Sequence, residues 1–234
     1  MPIQQPSGIH HIAIMSANIK EQLTFFTQVM GFPLVGLFEM HGVPGGKHAF
    51  LKMDEASYFS VVELAGIADV PSTLGITHAG TGAGKCAAGT MQHLAFRAPD
   101  EAGLIAMRNR IRSHGVPAIG PIGHGFCKSI YFAGPEGLTL EVACKVTEVD
   151  PARWVDPARW VDPKVLAECG ISGDEAQAML NPAPCMADCE VAQPAYDPAV
   201  PNMAYPLETL RAILAAPDAA ITMQGTYDKP PVKA

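Results

Sequence analysis

Four residues in this sequence have types and spacing that could hold a metal ion. His11 and His93 each open a short apolar stretch, His11-Ile-Ala-Ile and His93-Leu-Ala-Phe. Glu63 follows His11 by 52 residues and Glu141 follows His93 by 48, each late in an apolar run. An unpaired carboxylate on a mainly apolar strand is costly to bury unless it is paired or bound to a metal. Two imidazoles and one carboxylate are also the donor set that leaves positions on a metal open for a substrate or for O₂. His11, His93 and Glu141 are therefore the expected ligands. Glu63 is a fourth candidate, with a solvated strand-end carboxylate as its alternative. In the His10-His11 pair, His11 is preferred because it directly precedes the Ile-Ala-Ile stretch, as His93 precedes Leu-Ala-Phe.

The elements that position these residues read as a repeat. His11-Ile-Ala-Ile-Met-Ser-Ala-Asn18 matches His93-Leu-Ala-Phe-Arg-Ala-Pro-Asp100, a strand running into a helix cap. Met30-Gly-Phe-Pro-Leu-Val35 matches His114-Gly-Val-Pro-Ala-Ile119, a helix end, a glycine stop and a new strand. Val61-Val-Glu-Leu64 is set against Thr139-Leu-Glu-Val142. The first helix is read from the stripe Ile19, Leu23, Phe26 and Met30, with Asn18 and Glu21 as a capping box and Gly31 as its stop. The second has Asp100 as cap, Leu104, Met107 and Ile111 as stripe, and Gly115 as stop. Strands are expected at 33–40, 47–53 and 58–64, then at 117–119, 128–133 and 138–144. The fold class is thus α+β, two βαβββ modules over about 8–65 and 90–145, inside a domain spanning 1–149.

Residues 66–89 link the modules. Gly80-Thr-Gly-Ala-Gly-Lys85 looks like a phosphate loop but fails the pattern, since Ala79 stands at the first glycine and Cys86 follows the lysine. It reads as a flexible loop near the mouth of the site. From Asp150 a Pro-rich, partly helical C-terminal extension runs to 234, opening with Asp150-Pro-Ala-Arg-Trp-Val155 and its immediate copy, 156–161. Short helices are expected at 164–169, 174–180 and 207–215. A partly disordered tail is the competing reading. Cys185-x3-Cys189 lacks a second pair at metal-site spacing and reads as incidental.

The net charge of −7, from 23 acidic against 16 basic residues, argues against a nucleic-acid surface. No apolar run is long enough to span a bilayer and no secretory signal is read, so a cytoplasmic location is expected. The six cysteines then read as reduced thiols.

The paired modules, with His11 and His93 opening strands and Glu141 late in the second copy, resemble the vicinal oxygen chelate superfamily. It includes glyoxalase I, methylmalonyl-CoA epimerase, extradiol dioxygenases and bleomycin-binding resistance proteins. The resemblance covers about residues 8–145 and implies a metal-centred cavity between the modules. The stretch from Ile122-Gly-His124 through Ile130-Tyr131 and Gly134-Pro135-Glu-Gly137 to Glu141 resembles the extradiol dioxygenase motif, departing from it at Gly134. That resemblance implies that His124 and Tyr131 lie beside the substrate and handle protons and hydrogen bonds.

Three functions remain open. One is an extradiol-type ring-cleaving dioxygenase acting on a small aromatic diol, with Fe(II) or Mn(II). Another is a glyoxalase- or epimerase-like lyase or isomerase working through a metal-bound enediolate, with Zn(II) or Ni(II); Glu63 as a ligand would favour it. The third is a non-catalytic, resistance-type binder of small molecules, disfavoured by the full ligand set. The expected partner is a small-molecule substrate, and the long tail leaves a homodimer open.

Overall fold

Each half of the chain starts with a short strand that must end in a helix cap, and the caps form as their sequences require. In the first half β1 (His11–Met15) leads to α1 (Ile19–Thr24), whose cap Asn18 accepts from the Glu21 backbone N–H and donates to its carboxylate. The helix continues as one wider, π-helical turn over Phe25–Val29. In the second half β5 (Leu94–Arg97) leads to α2 (Glu101–Ser113), where the Asp100 carboxylate accepts from the Gly103 N–H at 2.7 Å. These bonds satisfy backbone donors that a helix start leaves unpaired.

Three strands then complete each half: β2 (Leu34–Glu39), β3 (Lys47–Lys52) and β4 (Tyr58–Glu63), and β6 (Ala118–Gly123), β7 (Cys127–Ala133) and β8 (Thr139–Lys145). The result is two four-stranded mixed sheets, ordered β1-β4-β3-β2 and β5-β8-β7-β6, with the outer strands β1 and β5 parallel to their neighbours. The expected α+β fold of two βαβββ modules is therefore what forms. Strand β6 runs beyond the expected 117–119. Gly120-Pro121 interrupts the pattern but not the strand, and the ladder shifts register between Ile119 and Ile122. Proline is tolerated there because β6 is the edge of its sheet.

The computed structural model describes residues 6–40, 42–145, 161–182 and 193–217. The tandem repeat (apart from Val161) and the Cys185/Cys189 pair lie outside these residues. The chain divides into two compact units, Ser7–Asn181 and Pro182–Ala234 with Met1–Pro6. The first unit extends past the two modules to take in α3 (Pro163–Glu168) and α4 (Gly173–Leu180). The second contains α5 (Leu207–Ala215). All three helices fall where the sequence placed them. No helix among the described residues is long and apolar enough to cross a membrane. Cys86, Cys127, Cys144 and Cys169 are free thiols.

Both modules bury one face of their sheet against their helix, and the two buried faces merge into one core. Phe26, Leu51, Phe59 and Val61 of the first module and Leu104, Ile111, Ile130 and Leu140 of the second are fully enclosed. Burial of each such side chain contributes about 1.5–3 kcal/mol. Phe96 on β5 crosses between modules, its ring centroid 5.2 Å from Phe32, 6.1 Å from Phe59 and 6.3 Å from Phe26. Polar ties reinforce the junction. Arg110 donates to the carbonyls of Val29 and Gln28 at 2.8 and 2.6 Å. Glu136, in the β7–β8 turn, accepts from the Ala17 N–H and the Gln22 carboxamide at 2.7 and 2.6 Å. The opposite face of each sheet is left open, and the residues with chemistry stand there.

Candidate functional site

In a strand, alternate residues share a face and cross-strand partners share it too. On the open face of the second sheet this rule groups His93, at the mouth of β5, with Ala95, Glu141 and Tyr131, because Ala95 pairs with Glu141 and Glu141 with Tyr131. His93 Nε2 lies 2.9 Å from Glu141 Oε2, and the Glu141 side chain is only 7% exposed. Tyr131 OH lies 3.1 Å from Nε2 of His124, which stands just beyond β6. Burial, and then the negative charge of Glu141, push the Tyr131 phenol above its ordinary value, so it remains a neutral hydrogen-bond donor near pH 7. Four of the six residues singled out in the sequence are thus brought together.

The His93–Glu141 contact has a chemical consequence. The carboxamide nitrogen of Gln92 is surrounded by the carbonyls of Thr81, Gly82 and Gly84, so its oxygen is the atom that meets His93 Nδ1. An oxygen acceptor there requires the proton on Nδ1, so Nε2 meets the carboxylate oxygen either with a proton of its own, as an ion pair, or with a lone pair that a metal ion could take. In the neutral Nδ1–H form, the two lone pairs repel unless a cation sits with them. Donor atoms 2.9 Å apart also match adjacent positions on a divalent ion with bonds of about 2.1 Å. The pair therefore fits a metal as two neighbouring ligands.

His11 stands apart from that pair. It lies on the open face of the first sheet, where the register joins it to Tyr58 and joins Ala13 to Ser60 and Ser60 to Phe50. Its Nδ1 is 2.9 Å from His10 Nδ1, and its ring packs edge-on against Phe50. His48, also on this face, bonds Ser60 Oγ at 2.6 Å. Burial, and then the nearby His11, lower the His48 pKa and favour its neutral form. Among the described residues no group of three His, Cys, Asp or Glu side chains comes together as a metal site. The three-donor set is therefore not gathered; two of its members are.

Glu63 faces the other way. It shares the Val61 face of β4, the helix side, where it accepts from the Ile19 N–H at 2.9 Å and pairs with Lys47. The Lys47 hydrogen bond and then the Ile19 N–H hold its carboxyl below the usual range. The residue that occupies the Glu141 place in the first module is Ser60, which pairs with Ala13 as Glu141 pairs with Ala95. The sequence alignment of the two copies was displaced by three residues here. An odd displacement in a strand exchanges faces.

Residues 8–142 match the family described as Glyoxalase/Bleomycin resistance protein/Dioxygenase superfamily. The chain belongs to this superfamily. No curated protein sequence matches it. Among solved structures, it is similar to a glyoxylase/bleomycin resistance protein/dioxygenase domain from Frankia sp. EAN1pec, at 12% identity and a TM-score of 0.48, over 61% of this chain and 100% of that one. It is similar to a lactoylglutathione lyase from Agrobacterium tumefaciens at 18% identity and a TM-score of 0.41, over 60% and 95% of the two chains. It is also similar to FosX, a fosfomycin resistance protein from Listeria monocytogenes, at 16% identity and a TM-score of 0.43, over 61% and 97%. The family match over residues 8–142 establishes the superfamily resemblance read from the sequence, and it spans both open faces.

Within this superfamily fold, sequence reasoning passed over Gln92, His48 and Ser60. Gln92 could have been found, since it precedes His93 as His10 precedes His11. His48 and Ser60 carry no such signal; only strand register places them beside His11. A cavity of about 390 Å³ between β1, α1 and the β7–β8 turn, lined by Met15, Gln22, His78, Glu136 and Leu138 among others, contains none of His11, His93, His124, Tyr131 or Glu141. The chemistry is on the open faces instead.

Proposed function

We propose that this superfamily member is a metal-dependent enzyme acting on a small molecule, of the extradiol-type ring-cleaving dioxygenase class. The observation that carries the reading is the Tyr131–His124 contact on the same face as His93 and Glu141. It is a proton-handling pair beside a pair of metal donors. His93 and Glu141 would hold the ion, Fe(II) or Mn(II); His11, the third donor expected from the sequence, is not gathered with them and would have to be brought to the ion. The chemistry an ion held there would supply is Lewis-acid activation of a small aromatic diol toward O₂.

The remaining steps fall to the chain itself. Tyr131, kept protonated by burial and by Glu141, donates a hydrogen bond to a substrate oxygen. His124, bonded to the Tyr131 hydroxyl, takes up or returns the proton. The lyase or isomerase alternative leaned on Glu63 as a fourth ligand. With Glu63 engaged by Lys47 and the start of α1, that alternative loses its support.

Metal analysis of anaerobically purified protein, followed by oxygen uptake with a panel of catechols, tests the reading. Bound iron or manganese with oxygen consumption is the expected result. A redox-silent metal without uptake would move the assignment to a lyase or isomerase, and absence of any bound metal would favour a binding protein. His93→Ala is expected to abolish metal retention, and His11→Ala to reduce it if His11 completes the set. A His93→Ala protein with full metal content would overturn the ligand assignment.

A further inference from the structure

Gln92 touches two things that the proposed function keeps separate, a ligand histidine and a loop. Its Nε2 lies 3.1 Å from the Thr81 carbonyl, 3.2 Å from that of Gly82 and 3.1 Å from that of Gly84. Its Oε1 accepts the Nδ1 proton of His93. The loop so held is the glycine-rich segment 79–84. Its turn is closed by the Gly84 N–H donating to the Thr81 carbonyl at 3.0 Å. It is also tied to β8 by the Gly80 N–H donating to Thr139 Oγ1 at 3.0 Å, two residues before Glu141.

The loop lies on the site. A Cβ added at Gly82 would come within 3.1 Å of the Tyr131 ring, so the backbone rests against that ring because residue 82 has no side chain. The first module holds a related partner in the corresponding place, where His10 meets Nδ1 of His11 at 2.9 Å. In both modules, then, the residue before the strand-opening histidine occupies its Nδ1. Among the described residues, only in the second does that residue also grip a loop.

We propose that Gln92 is a positioning residue that makes one event of two: closure of loop 79–84 over Tyr131, and presentation of the His93 tautomer whose Nε2 lone pair points at Glu141. The proposal rests on the reading of His93 and Glu141 as metal ligands. With the loop in place, three carbonyls fix the carboxamide so that its oxygen faces His93. When a ligand beside Tyr131 displaces Gly82, those acceptors leave, the carboxamide is free to turn, and His93 loses the partner that sets its tautomer. Occupancy beside Tyr131 is thereby transmitted to the metal-binding imidazole. Partners of this kind typically contribute about 10–100-fold to metal affinity.

Two substitutions in the full chain separate the functions of Gln92. Gln92→Leu removes both contacts. Gln92→Glu keeps an acceptor for His93 but cannot donate to the loop carbonyls. Three readouts are taken: the ¹⁵N shifts of the His93 ring at mildly alkaline pH, amide exchange of residues 80–84, and Mn(II) affinity. Wild type is expected to show Nδ1–H on His93 and slow exchange in the loop. Gln92→Leu should shift the ring toward Nε2–H, speed exchange in the loop and weaken Mn(II) binding by about 10–100-fold. Gln92→Glu should speed exchange equally while keeping the Nδ1–H tautomer. If both variants keep wild-type ring shifts and loop exchange, the proposal is wrong. If wild type binds no Mn(II), the metal reading fails by itself, and ring shifts with loop exchange still decide whether Gln92 is the clamp.

Discussion

At the scale of single residues, the decisive fact is which way a side chain faces. Glu63 ends β4 and Glu141 lies inside β8, both mainly apolar strands, yet one binds the start of a helix and the other an imidazole. The role of Glu63 is structural, and its pH dependence has a definite sign. Its folded pKa is depressed by the Lys47 hydrogen bond and the Ile19 N–H. The stability it contributes is therefore present above the ordinary carboxylate range of the unfolded chain, and is lost as the pH falls through the lower folded value. Glu63→Gln is expected to lower stability at neutral pH by about 1 kcal/mol or less, the scale of a partly exposed pair and helix-start charge. The difference from wild type should shrink toward zero in acid, and urea titrations across pH check it. Metal content should be unchanged in the same variant, whereas a clear loss of metal would return Glu63 to the ligand set.

At the scale of elements, the helices were legible because their boundaries carry local chemistry. Asn18 and Asp100 cap where they were expected to, and Gly31 and Gly115 both stop their helices at positive φ, 82° and 79°. Their surroundings differ. A Cβ at Gly115 would meet nothing within 4 Å, while one at Gly31 would come within 3.3 Å of the Arg110 guanidinium. That guanidinium holds the Val29 and Gln28 carbonyls across the module junction. Gly115→Ala should therefore cost only the left-handed strain, about 1 kcal/mol. Gly31→Ala should cost more, because Arg110 is pushed from its acceptors as well. Thermal melts of the two variants rank them, and equal costs would deny Arg110 a part in the junction. Strand β6 was read too short for a related reason. Gly120-Pro121 is a local break signal, but the β7 ladder on its other side carries the strand through.

At the scale of the whole molecule, the two modules share one core rather than packing as independent halves, with Phe96 as the residue that crosses between them. Phe96→Ala is expected to cost about 3–5 kcal/mol. It should lower a single cooperative transition of residues 7–181, not split it, because the cavity opens against Phe26, Phe32 and Phe59 of the other module. Coincident far- and near-ultraviolet dichroism melts test this, and two separated transitions would show that the modules unfold independently.

Amino-acid order alone determined the repeat, the α+β class and the helix caps, which rest on short-range periodicity and spacing; His124 and Tyr131 were singled out only by the resemblance to the extradiol motif. Tertiary structure decided the rest. Whether a carboxylate belongs to a site depends on strand register, and with a side-chain period of two an alignment displaced by three residues exchanges faces. That is why Ser60, not Glu63, stands opposite Ala13. The spacing of His11 and His93 in the chain is likewise silent on their separation in space, which is set by how the modules share their core. The grip of Gln92 on a loop eight to eleven residues earlier had no signature in the sequence either, because a carboxamide gains its orientation only from the carbonyls that folding brings around it.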